Sequence, residues 1–201
     1  MQNLIDYKNG ADIILNPNVE SQLLYGKGWA YGTEFFLKKK EGALTGWISY
    51  TYSRTMRQFD QINFGNPFPA KQDIIHEVSI VGIYKASPKW TFGTTWVFST
   101  GQAVTFPSGV YIVDGIRTPY YTNRNGYRMP DYHRLDLSAT YYAKKTAKWE
   151  SSWNFSIYNV YARKNAYSIT FQQDPNDPNK TQAVQLSLFR FVPSITYNFK
   201  F

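Results

Sequence analysis

The sequence predicts an all-β protein, an antiparallel meander of about nine strands with one apolar and one polar face. Three observations carry that reading. The segment 193–201 alternates without a break: Ile195, Tyr197, Phe199 and Phe201 fall on one face, and Ser194, Thr196, Asn198 and Lys200 on the other, which is the period of a strand. Most other alternating segments are long, about 8–12 residues, where soluble strands average about 5–6 and membrane strands need about 9–11. Connection lengths also alternate. The turns near 40, 87 and 146 are short and the loops near 65 and 116 are long, which puts long and short connections at opposite ends of a meander, as in transmembrane barrels.

Taken in order, residues 1–28 read as a lead-in loop with short strand pieces, punctuated by Gly10, Pro17, Gly26 and Gly28. The first strand, 29–39, groups Trp29, Tyr31, Thr33, Phe35 and Leu37; the second, 44–56, groups Leu44, Gly46, Ile48, Tyr50 and Tyr52. A loop at 57–75 follows. The third strand, 76–85, aligns Val78, Ile80, Gly82 and Tyr84, and the fourth, 90–100, aligns Trp90, Phe92, Thr94, Trp96 and Phe98. The longest loop, 101–132, is rich in Gly, Pro, Tyr and Arg. The fifth strand, 133–144, aligns Leu135, Leu137, Ala139 and Tyr141; the sixth, 149–158, aligns Trp149, Ser151, Trp153, Phe155 and Ile157. A short seventh strand at 166–172, a turn cluster at 174–179 and an eighth strand at 182–191 lead to Pro193 and the ninth strand. Alternation alone also suits a soluble β-sandwich. The strand lengths, and apolar faces without mid-strand charge, favour the membrane barrel, where a Lys or Arg facing lipid costs about 2–4 kcal/mol.

Composition narrows the function classes. Aromatic residues make up 18% of the chain, too many for a disordered one. No apolar run approaches the ~18 residues of a transmembrane helix. Mean hydropathy is -0.46, a value a membrane barrel shares with soluble proteins because only alternate residues meet lipid. The chain has no cysteine, so disulfides and thiolate metal sites are excluded. The segment 1–6 has no secretory pattern; either the protein is not exported or it is part of a longer exported chain. The net charge of +8 invites a nucleic-acid reading. The lysines, however, cluster at turns (Lys38, Lys39 and Lys40; Lys85 and Lys89; Lys144, Lys145 and Lys148) instead of interleaving with Arg and exposed aromatics, and no nucleic-acid partner is expected. Lys89-Trp90 and Lys148-Trp149 open two strands alike, placing Lys and Trp at one level as an interfacial girdle requires.

Candidate chemistry concentrates in the longest loop. Tyr120, Tyr121, Tyr127 and Tyr132, with Arg117 and Arg124, either stack on a sugar or aromatic chelator or pack the loop on itself. Arg128, Tyr132, His133, Arg134 and Asp136 either line a ligand path or, for Arg134 and Asp136, form an inner-wall ion pair. His76 and His133 have no third ligand placed by sequence, so no metal and no cofactor is expected. No catalytic motif appears, and His133 and Asp136 fall on opposite faces of a strand, unlike the working pair of a barrel hydrolase. The chain is not expected to be an enzyme.

The segment 125–138, with Arg128, Pro130, Tyr132, His133, Arg134 and Asp136, resembles the late-barrel region of TonB-dependent outer-membrane receptors, especially the Bacteroidetes type. The stretch 28–34 with Tyr31, Gly32 and Glu34, the stretch 44–53 with Gly46, Trp47 and Tyr50, Ser99 to Gln102 with Phe106 and Pro107, and the segment 188–201 resemble further strands of that family in its order. The resemblance implies a place in the C-terminal part of a 22-stranded transmembrane barrel, multi-pass in a Gram-negative outer membrane. Such barrels surround a plug and import bulky nutrients such as siderophores, cobalamin or glycans. Tyr197, Phe199 and Phe201 resemble the terminal signal that barrel-assembly machinery recognises. Implied partners are outer-membrane lipid, the remainder of the receptor barrel and its plug, the assembly machinery, TonB indirectly and, in part of the family, a surface lipoprotein. The plug, the TonB box and about thirteen strands of the family barrel are absent from the sequence, and residues 29–201 are expected not to transport by themselves. The alternatives are a structural or adhesion-type outer-membrane barrel and a soluble β-sandwich binding module.

Overall fold

The computed structural model describes residues 1–8, 19–113, 116–146, 149–177 and 180–201. Its strands are β1 (Leu4–Tyr7), β2 (Leu23–Lys39), β3 (Leu44–Gln58), β4 (Phe68–Pro69), β5 (His76–Ser87), β6 (Trp90–Ser99), β7 (Ala103–Val104), β8 (Gly109–Val113), β9 (Ile116–Tyr120), β10 (Tyr127–Arg128), β11 (Tyr132–Lys145), β12 (Glu150–Tyr158), β13 (Ser168–Gln173), β14 (Thr181–Leu186) and β15 (Val192–Lys200). Among the described residues the only helical pieces are two short 3-10 turns, and no helix is long and apolar enough to cross a membrane.

One antiparallel sheet of nine strands dominates, in the order β1-β2-β3-β5-β6-β11-β12-β15, with β4 paired to β3. The strand number agrees with the expectation, but the membership differs. Segments expected as the seventh and eighth strands form a separate hairpin, β13–β14. The reason lies in β12, which has only two edges. β11 occupies one, and β15 takes the other over a continuous run from Glu150↔Lys200 to Tyr158↔Val192. The ring contact Trp153–Tyr197, with centroids 4.7 Å apart, reinforces that run. The hairpin is also polar where a lipid-facing strand must be apolar: Gln172 pairs with Gln182 and Ile169 with Gln185.

The lead-in differs too. β2 begins at Leu23, and its first residues pair with β1. Gly26 lies inside β2, not in a turn. A Cβ there would collide with the Gln58 carbonyl and the Phe59 ring, so glycine serves close backbone approach. The long loop 101–132 is partly ordered as well, by the hairpin β8–β9 and the short ladder β7–β10.

Register divides the sheet into the two predicted faces. Ile48, Ile80, Trp96 and Leu135 are successive cross-strand partners, as are Leu137 and Ile157, then Phe155 and Ile195. The opposite face carries Ser49, Ser79, Val97 and Arg134, then Ser138 and Ser156. The turns joining β2 to β3, β5 to β6 and β11 to β12 lie at the end where β15 finishes; the connections 59–75, 100–131 and 159–191 lie at the other.

The chain forms two compact units. The first comprises Met1–Gly32, Ser53–Ile75 and Gly101–Met129. It has an ordinary buried core of Leu24, Phe59, Ile62 and Phe68, with Leu4 packed on it. The second comprises Thr33–Tyr52, His76–Thr100 and Pro130–Phe201. Its large apolar side chains are turned outward: Phe155, Ile195 and Phe199 are 42%, 67% and 58% exposed. Among the described residues, its buried polar ones are Ser151 and Asn159. An isolated soluble domain does not leave so much contiguous apolar surface open.

Candidate functional site

In the first unit, buried polar side chains hold the loop 101–129 against the loop 59–75. Asp73 is 1% exposed. Its carboxylate accepts the Thr55 backbone N–H at 2.5 Å, is paired with Arg128, and lies 3.5 Å from Arg54 Nε. Arg128 also donates to the carbonyls of Asp73, at 2.8 Å, and Gly101, at 2.9 Å. One guanidinium thus joins three chain segments, and a charge buried this deeply is tolerable only because it is paired and hydrogen-bonded.

Arg124 makes a second clamp. Its guanidinium donates to the Lys8 carbonyl at 3.0 Å and pairs with Asp6 at 3.1 Å. Its backbone N–H donates to Asn63 Oδ1 at 2.7 Å, and Asn63 Nδ2 returns a bond to the Arg124 carbonyl at 2.9 Å. Asn125 ties the same turn to the Pro69 carbonyl, at 2.9 Å, and to Thr105. Asn63 and Asn125 both have positive φ, which asparagine accommodates better than most residues.

With Arg124 and Arg128 engaged internally, the side chains this unit leaves exposed include several aromatics. Tyr120 and Tyr121 are 52% and 55% exposed, and Tyr127, whose ring lies 5.8 Å from Phe106, is half-open. On the hairpin, Tyr120 stands opposite Gly109, where a Cβ would meet nothing within 4 Å, and Tyr111 lies diagonally beside it on the same face. Arg117 pairs with Ile112 in the backbone ladder; its side chain lies outside the described residues. Phe64 was not singled out from the sequence. It is 92% exposed at the tip of the 59–75 loop with φ of 57°, a strained conformation for a bulky residue and a common mark of a functional contact. Its sequence signal is slight: an aromatic between Asn63 and Gly65 in a turn.

In the second unit, Tyr132 belongs to a hydrogen-bonded network around Arg134 and not to the tyrosine surface. Arg134 Nε donates to Asp136 at 2.9 Å, and its Nη1 donates to the hydroxyls of Tyr132, at 2.9 Å, and Tyr158, at 2.8 Å. Asp136 in turn accepts the backbone N–H of Asn159 at 2.8 Å; Asn159 is fully buried and donates to the Arg163 carbonyl. The Arg134–Asp136 ion pair is therefore present, braced on the end of β12.

The two histidines bind tyrosines: His76 Nδ1 to the Tyr50 hydroxyl at 2.9 Å and His133 Nδ1 to the Tyr161 hydroxyl at 2.7 Å. Burial raises the Tyr161 pKa above its ordinary value. Among the described residues no group of three metal-ligating side chains exists. At the chain's end, Tyr197, Phe199 and Phe201 form a stacked ladder with neighbouring centroids 6.1 Å apart, and Trp149 stacks on Phe199 and Phe201 at 5.8 and 6.5 Å.

A family model described as TonB dependent receptor-like, beta-barrel matches residues 2–160. No curated protein and no solved structure matches the chain.

Proposed function

The chain belongs to the TonB-dependent receptor β-barrel family, and from that premise we propose that it forms a late section of the wall of an outer-membrane importer for a bulky nutrient. Barrels of this family sit in the outer membrane, and the family is one of receptors and transporters, not an enzyme class. The observation that carries the proposal is the inside-out second unit, whose long strands present an apolar face for lipid and a polar face bearing Arg134 and Asp136 for a lumen. The family match ends at residue 160, and β15 continues the same sheet by pairing along all of β12.

The open edges of the sheet, β15 on one side and the β2 segment beyond β1 on the other, define what the section lacks. In lipid an unpaired edge is strongly unfavourable. The section therefore works only with the remainder of the barrel and its plug. The plug is drawn by TonB, and assembly machinery reads Tyr197, Phe199 and Phe201. The loops of the first unit contribute to substrate capture. Phe64, Tyr120, Tyr121 and Tyr127 offer flat, uncharged faces suited to sugar rings or an aromatic chelator, while Arg124 and Arg128 position the loop. The siderophore, cobalamin and glycan classes, the Bacteroidetes affinity and a surface lipoprotein partner belong to this reading.

Expression with a signal peptide, alone and with the remaining barrel strands, tests it. Detergent-dependent, heat-modifiable gel migration only in the combined sample is the expected result. Heat-modifiable migration of the chain alone would replace the receptor section with a small self-closing barrel. A detergent-free soluble monomer would replace the membrane reading with a soluble β-protein.

A further inference from the structure

The polar face of the second unit is not flat. Across β5, β6 and β11, Val81, Thr95 and Asp136 are successive cross-strand partners. Two residues nearer the short turns, Ile83, Gly93, Ser138 and Ser156 form a second row that runs on into β12. The row between them, from Gly82 and Thr94 to Leu137 and Ile157, belongs to the apolar face and gives the polar side only its backbone. The result is a groove of about 430 Å³ across four strands, walled by the two polar-face rows. Gly93 keeps it open. A Cβ at that position would lie 2.5 Å from Ser138 Oγ, so a larger side chain there would fill the second row.

The chemistry of the lining is selective. Among the described residues nothing else uses the hydroxyls of Thr95, Ser138 and Ser156, and each hydroxyl can both donate and accept. Each carboxylate oxygen of Asp136 accepts one bond, from Arg134 Nε at 2.9 Å and from the Asn159 backbone N–H at 2.8 Å, which leaves further acceptor positions on both. Arg134 already balances the Asp136 charge, and no lining residue is a cation. Val81 and Ile83 close one end with apolar surface. A ligand that fits has several hydroxyls, a C–H face and no charge. A sugar ring has all three, whereas an anionic chelate would meet a carboxylate and no free cation.

We propose that this groove is a sugar-binding subsite on the barrel wall, built by the second unit alone, with Thr95, Ser138 and Ser156 as hydroxyl partners and Asp136 as an acceptor. The inference rests on the receptor reading, which turns the polar face to the lumen, and it narrows the substrate class of that reading to uncharged glycans. The test uses the assembled receptor barrel containing this chain, in detergent. Retention of a mixture of neutral hexose and pentose oligosaccharides, of galacturonate oligomers and of an iron catecholate is compared by native mass spectrometry.

The expected result is retention of a neutral oligosaccharide over both anionic probes. Affinity for it falls about threefold in Thr95→Val and in Ser156→Ala, as loss of one hydrogen bond predicts. It is lost in Gly93→Val and unchanged in Thr91→Val, the same chemical change on the same strand and face outside the groove. If Gly93→Val fails to assemble, the two hydroxyl deletions, which remove no packing volume of note, still decide the matter. Binding that is abolished by Tyr120→Ala but untouched by Thr95→Val and Ser156→Ala belongs to the loops alone and overturns the proposal. Retention of the anionic chelate with no neutral sugar overturns it too, yet leaves the receptor reading standing. A chain that never assembles into a heat-modifiable barrel contradicts the receptor reading, and this subsite with it.

Discussion

The two units of this chain put their apolar side chains to opposite uses. In the first, apolar side chains such as Phe59 and Phe68 turn inward and disappear from solvent, and charge is buried only where it is matched, as at Asp73. In the second, Phe155, Ile195 and Phe199 turn outward, while Arg134 and Asp136 face the other way. An apolar stripe therefore does not identify a core. It identifies the side that avoids water, and strand length with charge placement tells which medium replaces it.

The largest test of that contrast is Asp73→Ala. It leaves Arg54 and Arg128 without their buried counter-ion, and removing one partner of a buried ion pair costs about 3–5 kcal/mol. The loops of the first unit should become sensitive to limited proteolysis, while the heat-modifiable migration set by the second unit survives. Loss of both together would mean that the units are not separable.

Next in size, Phe155→Lys places a charge on the apolar face, which the proposed function assigns to lipid, and should cost about 2–4 kcal/mol, read as reduced folding yield in bilayers. Ser156→Lys, one residue away on the opposite face, should be nearly silent. Equal effects would erase the distinction between the faces. Truncation of Phe201 should slow assembly of the barrel in cells yet leave the fold of protein already assembled intact; a pulse-chase of heat-modifiable material separates the two.

The smallest effect concerns the exposed tyrosines. Tyr120→Ala and Tyr121→Ala should each weaken nutrient binding by about 0.5–1.5 kcal/mol, with no change in thermal stability. Arg124→Ala should instead loosen the loop, because its partners are Asp6 and the Lys8 carbonyl. A titration of ligand binding beside a melting curve distinguishes contact from positioning.

Several features of the fold were legible without coordinates. The apolar sets of the strands at 44–56, 76–85, 90–100, 133–144 and 149–158 coincide with the register-defined face because side-chain alternation is a local property of an extended backbone. The Arg134–Asp136 pair was legible for the same reason: residues two apart share a face. What was not legible depends on distant partners. The segments at 166–172 and 182–191 alternate well enough to be strands, which they are, and only competition for the edge of β12 excludes them from the main sheet. Gly26 looks like a turn residue until the Phe59 ring is found against it.

The candidate site divides along the same line. The tyrosines of the long loop could be nominated from composition, but the engagement of Arg124 and Arg128 could not, since Asp6 and Asp73 lie far away in the chain and carry no local signal. Sequence by itself determined the strand class, the two faces and the alternation of short turns with long loops, because each follows from neighbours within a few residues. Tertiary structure alone decided which strands share the sheet and which guanidiniums remain available. Those outcomes depend on edge pairing and long-range charge pairing, both set by contacts between segments and not within one.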